Sequence, residues 1–156
     1  MVLLKAQRLQ RLAEKLGRIE SRLARASGEV EEAADELEEA AASAGVELEA
    51  ARRLDAATLE RALSPGGLPD PGRFWAVAEA LYLDALRAEA EGEGPASVGR
   101  GLRKARRLFE RAEEAGGLEL PERAVPPAAR LEEIAARLEG LTGPDEAGPE
   151  ETNPDP

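Results

Sequence analysis

The first 64 residues contain no proline, and a regular spacing of apolar and small residues runs through most of them. From Leu9 to Ala44 these residues recur at alternating intervals of three and four positions, so the pattern repeats every seven residues. Such a repeat places them along one side of an α-helix and is typical of a coiled coil or of a long packed helix. This seam consists of Leu9, Leu12, Leu16, Ile19, Leu23, Ala26, Val30, Ala33, Leu37, Ala40 and Ala44.

The charged residues that flank this seam change sign halfway along it, from basic to acidic. In order, the flanking residues are Arg8, Lys15, Arg22, Glu29 and Glu36. In an antiparallel helix pair these positions face one another, so opposite charges meet, whereas a parallel pair would set them against a nearly uncharged column. We therefore predict antiparallel pairing, either by folding back at Ser27-Gly28 or between two copies. Each exposed pair contributes only about 0.3 kcal/mol, so the charges select the orientation.

Proline and glycine divide the remainder of the chain into further predicted helices. A helix over 46–63 is expected before the break at 64–69. Asp70 followed by Pro71 is typical of a helix start, and this helix is predicted to end near 91. Ser97 could cap the next helix, and Pro126-Pro127 opens a last one. All four aromatic residues lie between positions 74 and 109, so they are assigned to the core of this second group of helices.

The sequence thus predicts an all-α protein in three parts. Residues 1–63 form a helical arm, either an antiparallel coiled-coil hairpin or one long heptad helix. Residues 70–142 form a compact bundle of three helices. Residues 143–156 are acidic and rich in proline, a composition that favours disorder.

Part of the predicted bundle resembles the helical hairpin of the tetratricopeptide-repeat family. Residues 81–92 combine a large apolar residue, a small one and a glycine turn, and Ala105, Phe109 and Ala112 match the second helix of that motif. About eight extra residues separate the two helices, and no second unit follows at the family's period of about 34 residues. The resemblance covers about 32 residues and implies a protein-interaction surface rather than an enzymatic activity.

Composition excludes several classes of chemistry. The chain has 156 residues, a net charge of -11, and neither histidine nor cysteine. Disulfides, zinc sites of Cys and His, and Ser-His-Asp or Cys-His nucleophiles are therefore absent. No stretch reaches the roughly 18 apolar residues of a membrane span, and the N-terminal apolar run is too short for a signal peptide. We expect a cytoplasmic protein without a cofactor.

The sequence is also compatible with two alternative functions. Pairs of glutamates three residues apart, such as Glu36 and Glu39 or Glu110 and Glu113, are residues with which an all-α hydrolase could hold Mg²⁺. Basic residues cluster on the first helix and again at 100–111, where they could contact nucleic-acid phosphates. The acidic net charge and the lack of aromatic residues near the first cluster disfavour nucleic acid.

The seam and the order of its flanking charges favour a non-enzymatic function. We predict a protein–protein interaction, adaptor or assembly protein that pairs through the arm with a second copy or with another protein. Trp75 is a further candidate anchor, since tryptophan is frequent among the residues that dominate binding energy. The predicted partner-binding residues are Leu9, Leu12, Leu16, Ile19, Leu23, Val30, Leu37, Arg8, Lys15, Arg22, Glu29, Glu36 and Trp75.

Overall fold

The computed structural model describes residues 5–24 and 30–152, with side chains as far as Leu141. Within these residues there are seven α-helices, one 3-10 turn at Pro65–Gly67 and no strand, which confirms the predicted all-α class. The helices are α1 Ala6–Ala24, α2 Val30–Ser43, α3 Leu48–Arg53, α4 Ala56–Ala62, α5 Pro71–Ala90, α6 Pro95–Ala115 and α7 Pro127–Thr152. No described helix is both long and apolar enough to cross a lipid bilayer.

The heptad segment forms a hairpin of two helices rather than one long helix. Helices α1 and α2 pack side by side, and the predicted turn at Ser27-Gly28 lies outside the described residues. Arg22 pairs with Glu36, and Lys15 Nζ lies 2.6 Å from Glu39. Arg22 follows Lys15 on α1, but its partner Glu36 precedes Glu39, the partner of Lys15, on α2. The two helices are therefore antiparallel. The predicted antiparallel pairing therefore occurs within one chain.

The segment over 46–63, predicted as one helix, is divided into α3 and α4. Leu54 has an extended backbone, and the Asp55 side chain accepts a hydrogen bond of 2.7 Å from the Thr58 N–H. Asp55 is thus the N-cap of a new helix, because its carboxylate satisfies a backbone donor that has no partner within the helix. The prediction of a single helix was wrong because this capping aspartate was not recognised.

Helix α5 is the central element of the fold. It packs against α1, α2, α3 and α6, and 15 of its 20 residues are buried. A helix with neighbours on most of its sides buries most of its side chains, which explains the continuous run of buried residues from Phe74 to Ala85. All of them are apolar or aromatic except Glu79 and Asp84. The aromatic core predicted for the second group of helices is confirmed, since Phe74, Trp75, Tyr82 and Phe109 are all buried.

Helix α5 begins where Asp70 and Pro71 predict a helix start. Pro71 is the first helical residue and Asp70 is the N-cap, whose carboxylate accepts the backbone N–H of Arg73 at 3.2 Å and its side-chain Nε at 2.9 Å. We expect Asp70→Ala to lower the free energy of unfolding by about 1–2 kcal/mol, through loss of this cap. Chemical denaturation followed by circular dichroism measures the change, and Asp70→Asn is the matched control.

A full effect of Asp70→Ala with a smaller effect of Asp70→Asn would support the assignment, because asparagine is also a good N-cap. An alanine variant as stable as the parent would contradict it.

Helices α6 and α7 complete the second group. Helix α6 begins at Pro95 with Gly94 as its N-cap, so Ser97 lies inside the helix and its predicted capping role was wrong. A four-residue turn joins α5 to α6, and the two helices approach closely at Gly101, where a Cβ atom would lie 3.4 Å from that of Ala85. The pair is thus a helical hairpin, while its membership of the tetratricopeptide-repeat family stays a prediction.

Helix α7 packs against α6, reaches α5 through the side chain of Arg130, and continues as far as Thr152, beyond the predicted end near 142. The side chains after Leu141 and the whole of residues 153–156 lie outside the description. The disorder of the acidic tail at 143–156 therefore stays a prediction.

The hairpin and the later helices share one hydrophobic core. Leu16 and Ile19 of α1 and Leu37 of α2 belong to the same buried cluster as Phe74 and Leu81 of α5. The predicted segments 1–63 and 70–142 therefore follow one another along the chain but do not have separate cores.

Candidate interaction surface

The apolar seam that was predicted to bind a partner is buried within the chain. Helices α1 and α2 both pack against α5, and the seam side chains Leu9, Leu12, Leu16, Ile19 and Leu37 are at most 5% exposed. Each buried side chain of this kind contributes about 2 kcal/mol to folding. Their assignment as partner contacts is therefore revised: in this structure they are core residues.

Two seam residues and Trp75 have surroundings that differ from those of the core leucines. Leu23, near the end of α1, and Val30, at the start of α2, are partly buried. Trp75 is buried, and its Nε1–H donates a 2.9 Å hydrogen bond to the carbonyl of Val125. This bond ties α5 to the segment before α7, so Trp75 stabilises the fold and is not presented to a partner.

The flanking charges act largely inside the hairpin. The ion pairs of Lys15 with Glu39 and of Arg22 with Glu36 join α1 to α2, and the hydrogen bond from Arg22 lowers the pKa of Glu36. Arg8 is exposed and forms no salt bridge with a described residue. Glu29 lies outside the described residues.

The exposed side of the hairpin carries charges of both signs that no described residue neutralises by a salt bridge. The basic end consists of Lys5, just before α1, and of Arg8 and Arg11 in the first turns of α1. Glu14 and Arg18 follow on α1; they are also exposed, form no salt bridge with a described residue and together carry no net charge. The acidic end consists of Glu31, Glu32, Asp35 and Glu38 on α2. The antiparallel register places the acidic end beside the last turn of α1, about 20 Å along the hairpin from the basic end.

A buried group of charges, which we call the Arg130 cluster, joins three helices beneath this surface. Arg130 on α7 is 1% exposed and donates to Glu79 on α5 at 2.6 and 3.0 Å, to Glu20 on α1 at 2.9 and 3.0 Å, and to Glu133 at 2.9 Å. The guanidinium also lies 4.6 Å from the centre of the Tyr82 ring, within the range of a cation–π contact.

Burial within the Arg130 cluster alters the protonation of its carboxylates. Glu79 is 2% exposed, and this burial raises its pKa to about 6, while the bonds from Arg130 oppose the rise. Glu79 is therefore mostly ionised at neutral pH and pairs with Arg130. Hydrogen bonds from Tyr82 and Arg130 lower the pKa of the more exposed Glu133, although burial opposes this shift.

Sequence reasoning missed the Arg130 cluster, because Glu79 and Arg130 each look like an ordinary charge on an amphipathic helix. The available signal was the position of Glu79 within α5, where apolar or small residues surround it on every side of the helix. A carboxylate in such a setting needs a buried cation, and an arginine on a neighbouring helix is the side chain that can supply several hydrogen bonds.

Three of the four carboxylates considered for a Mg²⁺ site are in ion pairs, and Glu113 forms no salt bridge with a described residue. Glu36 and Glu39 pair with α1, and Glu110 lies 3.9 Å from Arg107. Within the described part of the chain, no three or more acidic side chains are grouped so that they could hold a metal ion.

The second basic cluster is partly neutralised. Arg107 and Arg111 both contact Glu60 of α4, at 2.9 and 3.0 Å. Arg103 and Arg106 form no salt bridge with a described residue.

Comparison of this chain with protein-family models, with curated proteins and with solved structures found no match.

Proposed function

We propose that this protein is a non-enzymatic association protein that pairs with a second copy through the exposed, charged side of the α1–α2 hairpin. The observation that carries the proposal is the separation of a basic end from an acidic end along that hairpin. In a twofold pair of antiparallel hairpins, the basic end of each copy lies over the acidic end of the other. Both contacts then form at once.

The same surface determines what kind of association this is. Leu68, at 68% exposure, is the only large apolar side chain that is exposed among the described residues, and it lies outside the hairpin. The pairing therefore depends on charge rather than on apolar burial. Salt screens charges that lie near the surface, so the association is reversible and is strongest at low ionic strength.

Sedimentation velocity tests this proposal. The full chain should form dimers at about 50 mM salt and dissociate at about 500 mM salt, where the screening length is much shorter. The double variant Arg8→Glu/Arg11→Glu makes both ends acidic, and the quadruple variant Glu31→Lys/Glu32→Lys/Asp35→Lys/Glu38→Lys makes both ends basic; all six of these positions are exposed. Each variant alone should stay monomeric at low salt, because its like charges repel, whereas an equimolar mixture of the two should dimerise.

A matched control places the same charge reversal elsewhere. Arg103→Glu/Arg106→Glu changes two basic residues of α6 that form no described salt bridge, so this variant should dimerise almost as the parent does. A parent chain that is monomeric at low salt, or a mixture of the two hairpin variants that fails to associate, would overturn pairing through the hairpin.

A further inference from the structure

A cavity of about 290 Å³ lies where the end of α3 meets the last turns of α5 and the first turns of α6. Its lining contains four cationic side chains and two carboxylates, together with small or apolar residues and one serine. The charged residues are Arg52, Arg87, Arg100, Lys104, Asp84 and Glu93. None of these residues has a part in the proposed hairpin pairing.

Both carboxylates of the cavity are already engaged. Asp84 accepts two hydrogen bonds of 2.9 Å from Arg52 and a third of 2.9 Å from Arg87 Nε. Glu93 accepts a hydrogen bond of 2.9 Å from the Ser97 hydroxyl. Neither carboxylate forms a salt bridge with the two remaining cations of the lining.

Those two cations, Lys104 and Arg100, lie one helical turn apart on α6. Lys104 Nζ donates to the carbonyls of Ala51 and Arg52, at 2.9 and 2.7 Å, which leaves one of its three N–H groups without a described partner. Arg100 is exposed and forms no salt bridge with a described residue.

The electrostatics of Lys104 agree with an unneutralised positive charge at this point. Burial lowers the pKa of Lys104, and the nearby charge of Arg100 lowers it further, while Asp55 has a smaller opposite effect. A bound anion between the two cations would relieve this repulsion.

We propose that this cavity binds the phosphate group of a small molecule, held between Lys104 and Arg100. A guanidinium can donate two parallel hydrogen bonds to a phosphate, and an ammonium supplies a compact charge beside it. The cavity has no aromatic lining residue on which a nucleobase could stack, so the ligand is inorganic phosphate or a small aliphatic phosphate ester.

Isothermal titration calorimetry with inorganic phosphate, at constant ionic strength set by chloride, tests the proposal on the full chain. The parent should give saturable binding with one site per chain. Arg100→Gln should weaken binding about 10-fold or more, because a charge-assisted hydrogen bond is lost. Arg100 is exposed, so this variant is expected to fold.

Arg103→Gln is the matched control, since it removes the same charge from the same helix without touching the cavity lining. Its affinity for phosphate should stay within about twofold of the parent, because any diffuse attraction is lost to the same extent in both variants. A second titration with glycerol phosphate distinguishes a phosphate ester from free phosphate as the ligand. Binding tighter than that of inorganic phosphate identifies an ester, and equal or weaker binding identifies free phosphate. Absence of saturable binding to either probe, or equal weakening in both variants, would overturn the site.

Discussion

Replacement of Arg130 by methionine is expected to lower the free energy of unfolding by about 3–5 kcal/mol, a large fraction of the stability of a typical domain. Arg130 is the buried cation that neutralises Glu79, and the substitution leaves that carboxylate in the core without a counter-charge. It also removes the bonds by which α7 is held to Glu20 of α1. Urea denaturation followed by circular dichroism measures the loss.

A double variant distinguishes loss of the Glu79–Arg130 ion pair from loss of packing. The double variant Glu79→Leu/Arg130→Met should regain much of the stability, because an apolar pair of similar size no longer buries a charge. Arg137→Met is the control, since Arg137 also lies on α7 near the Tyr82 ring but is 43% exposed on its side chain. It should change stability by less than about 1 kcal/mol. If Arg130→Met were as mild as this control, the Arg130 cluster would not hold the helices together.

Leu16→Ala is expected to destabilise the whole protein by about 2–5 kcal/mol, because it opens a cavity in the core between the hairpin and α5. Trp75 is the only tryptophan, so its fluorescence reports on α5, whereas the far-ultraviolet circular dichroism reports on all helices. The midpoints of the fluorescence and circular dichroism transitions should both shift to the same lower urea concentration, so that the two curves coincide.

The control for this experiment is Leu68→Ala, which removes an exposed leucine and should change the free energy of unfolding by less than about 0.5 kcal/mol. A helical signal that is lost at lower urea concentration in Leu16→Ala, with the Trp75 transition unchanged, would show that the hairpin unfolds independently. The shared core would then be contradicted.

The all-α class and the positions of most helices along the chain could be predicted from the sequence, because both depend on local sequence signals. The seven-residue spacing of the seam assigned one buried side to α1 and α2, and Asp70 with Pro71 located the start of α5. The order of flanking charges predicted the antiparallel direction, which the pair Arg22 and Glu36 confirms.

What covers the seam could not be predicted, because a periodic pattern shows which side of a helix is buried but not against which element. Leucines that pack on a second copy and leucines that pack on α5 have the same spacing. The Arg130 cluster was missed for a related reason: Glu79 and Arg130 are 51 residues apart, and nothing local in the sequence indicates that they meet. The break between α3 and α4 depends on one capping aspartate within an otherwise continuous helical pattern.

Hydrogen–deuterium exchange of the backbone amides, resolved by peptide in the full chain, tests most directly whether the seam belongs to the folded core. If α1 and α2 pack permanently on α5, their central amides should open only with global unfolding, and their opening free energies should equal that of α5. If amides around Leu16 and Leu37 instead exchanged about 100-fold faster or more than those of α5, the hairpin would open by itself. The seam would then be available to a partner, and the assignment of these leucines to the core would be contradicted.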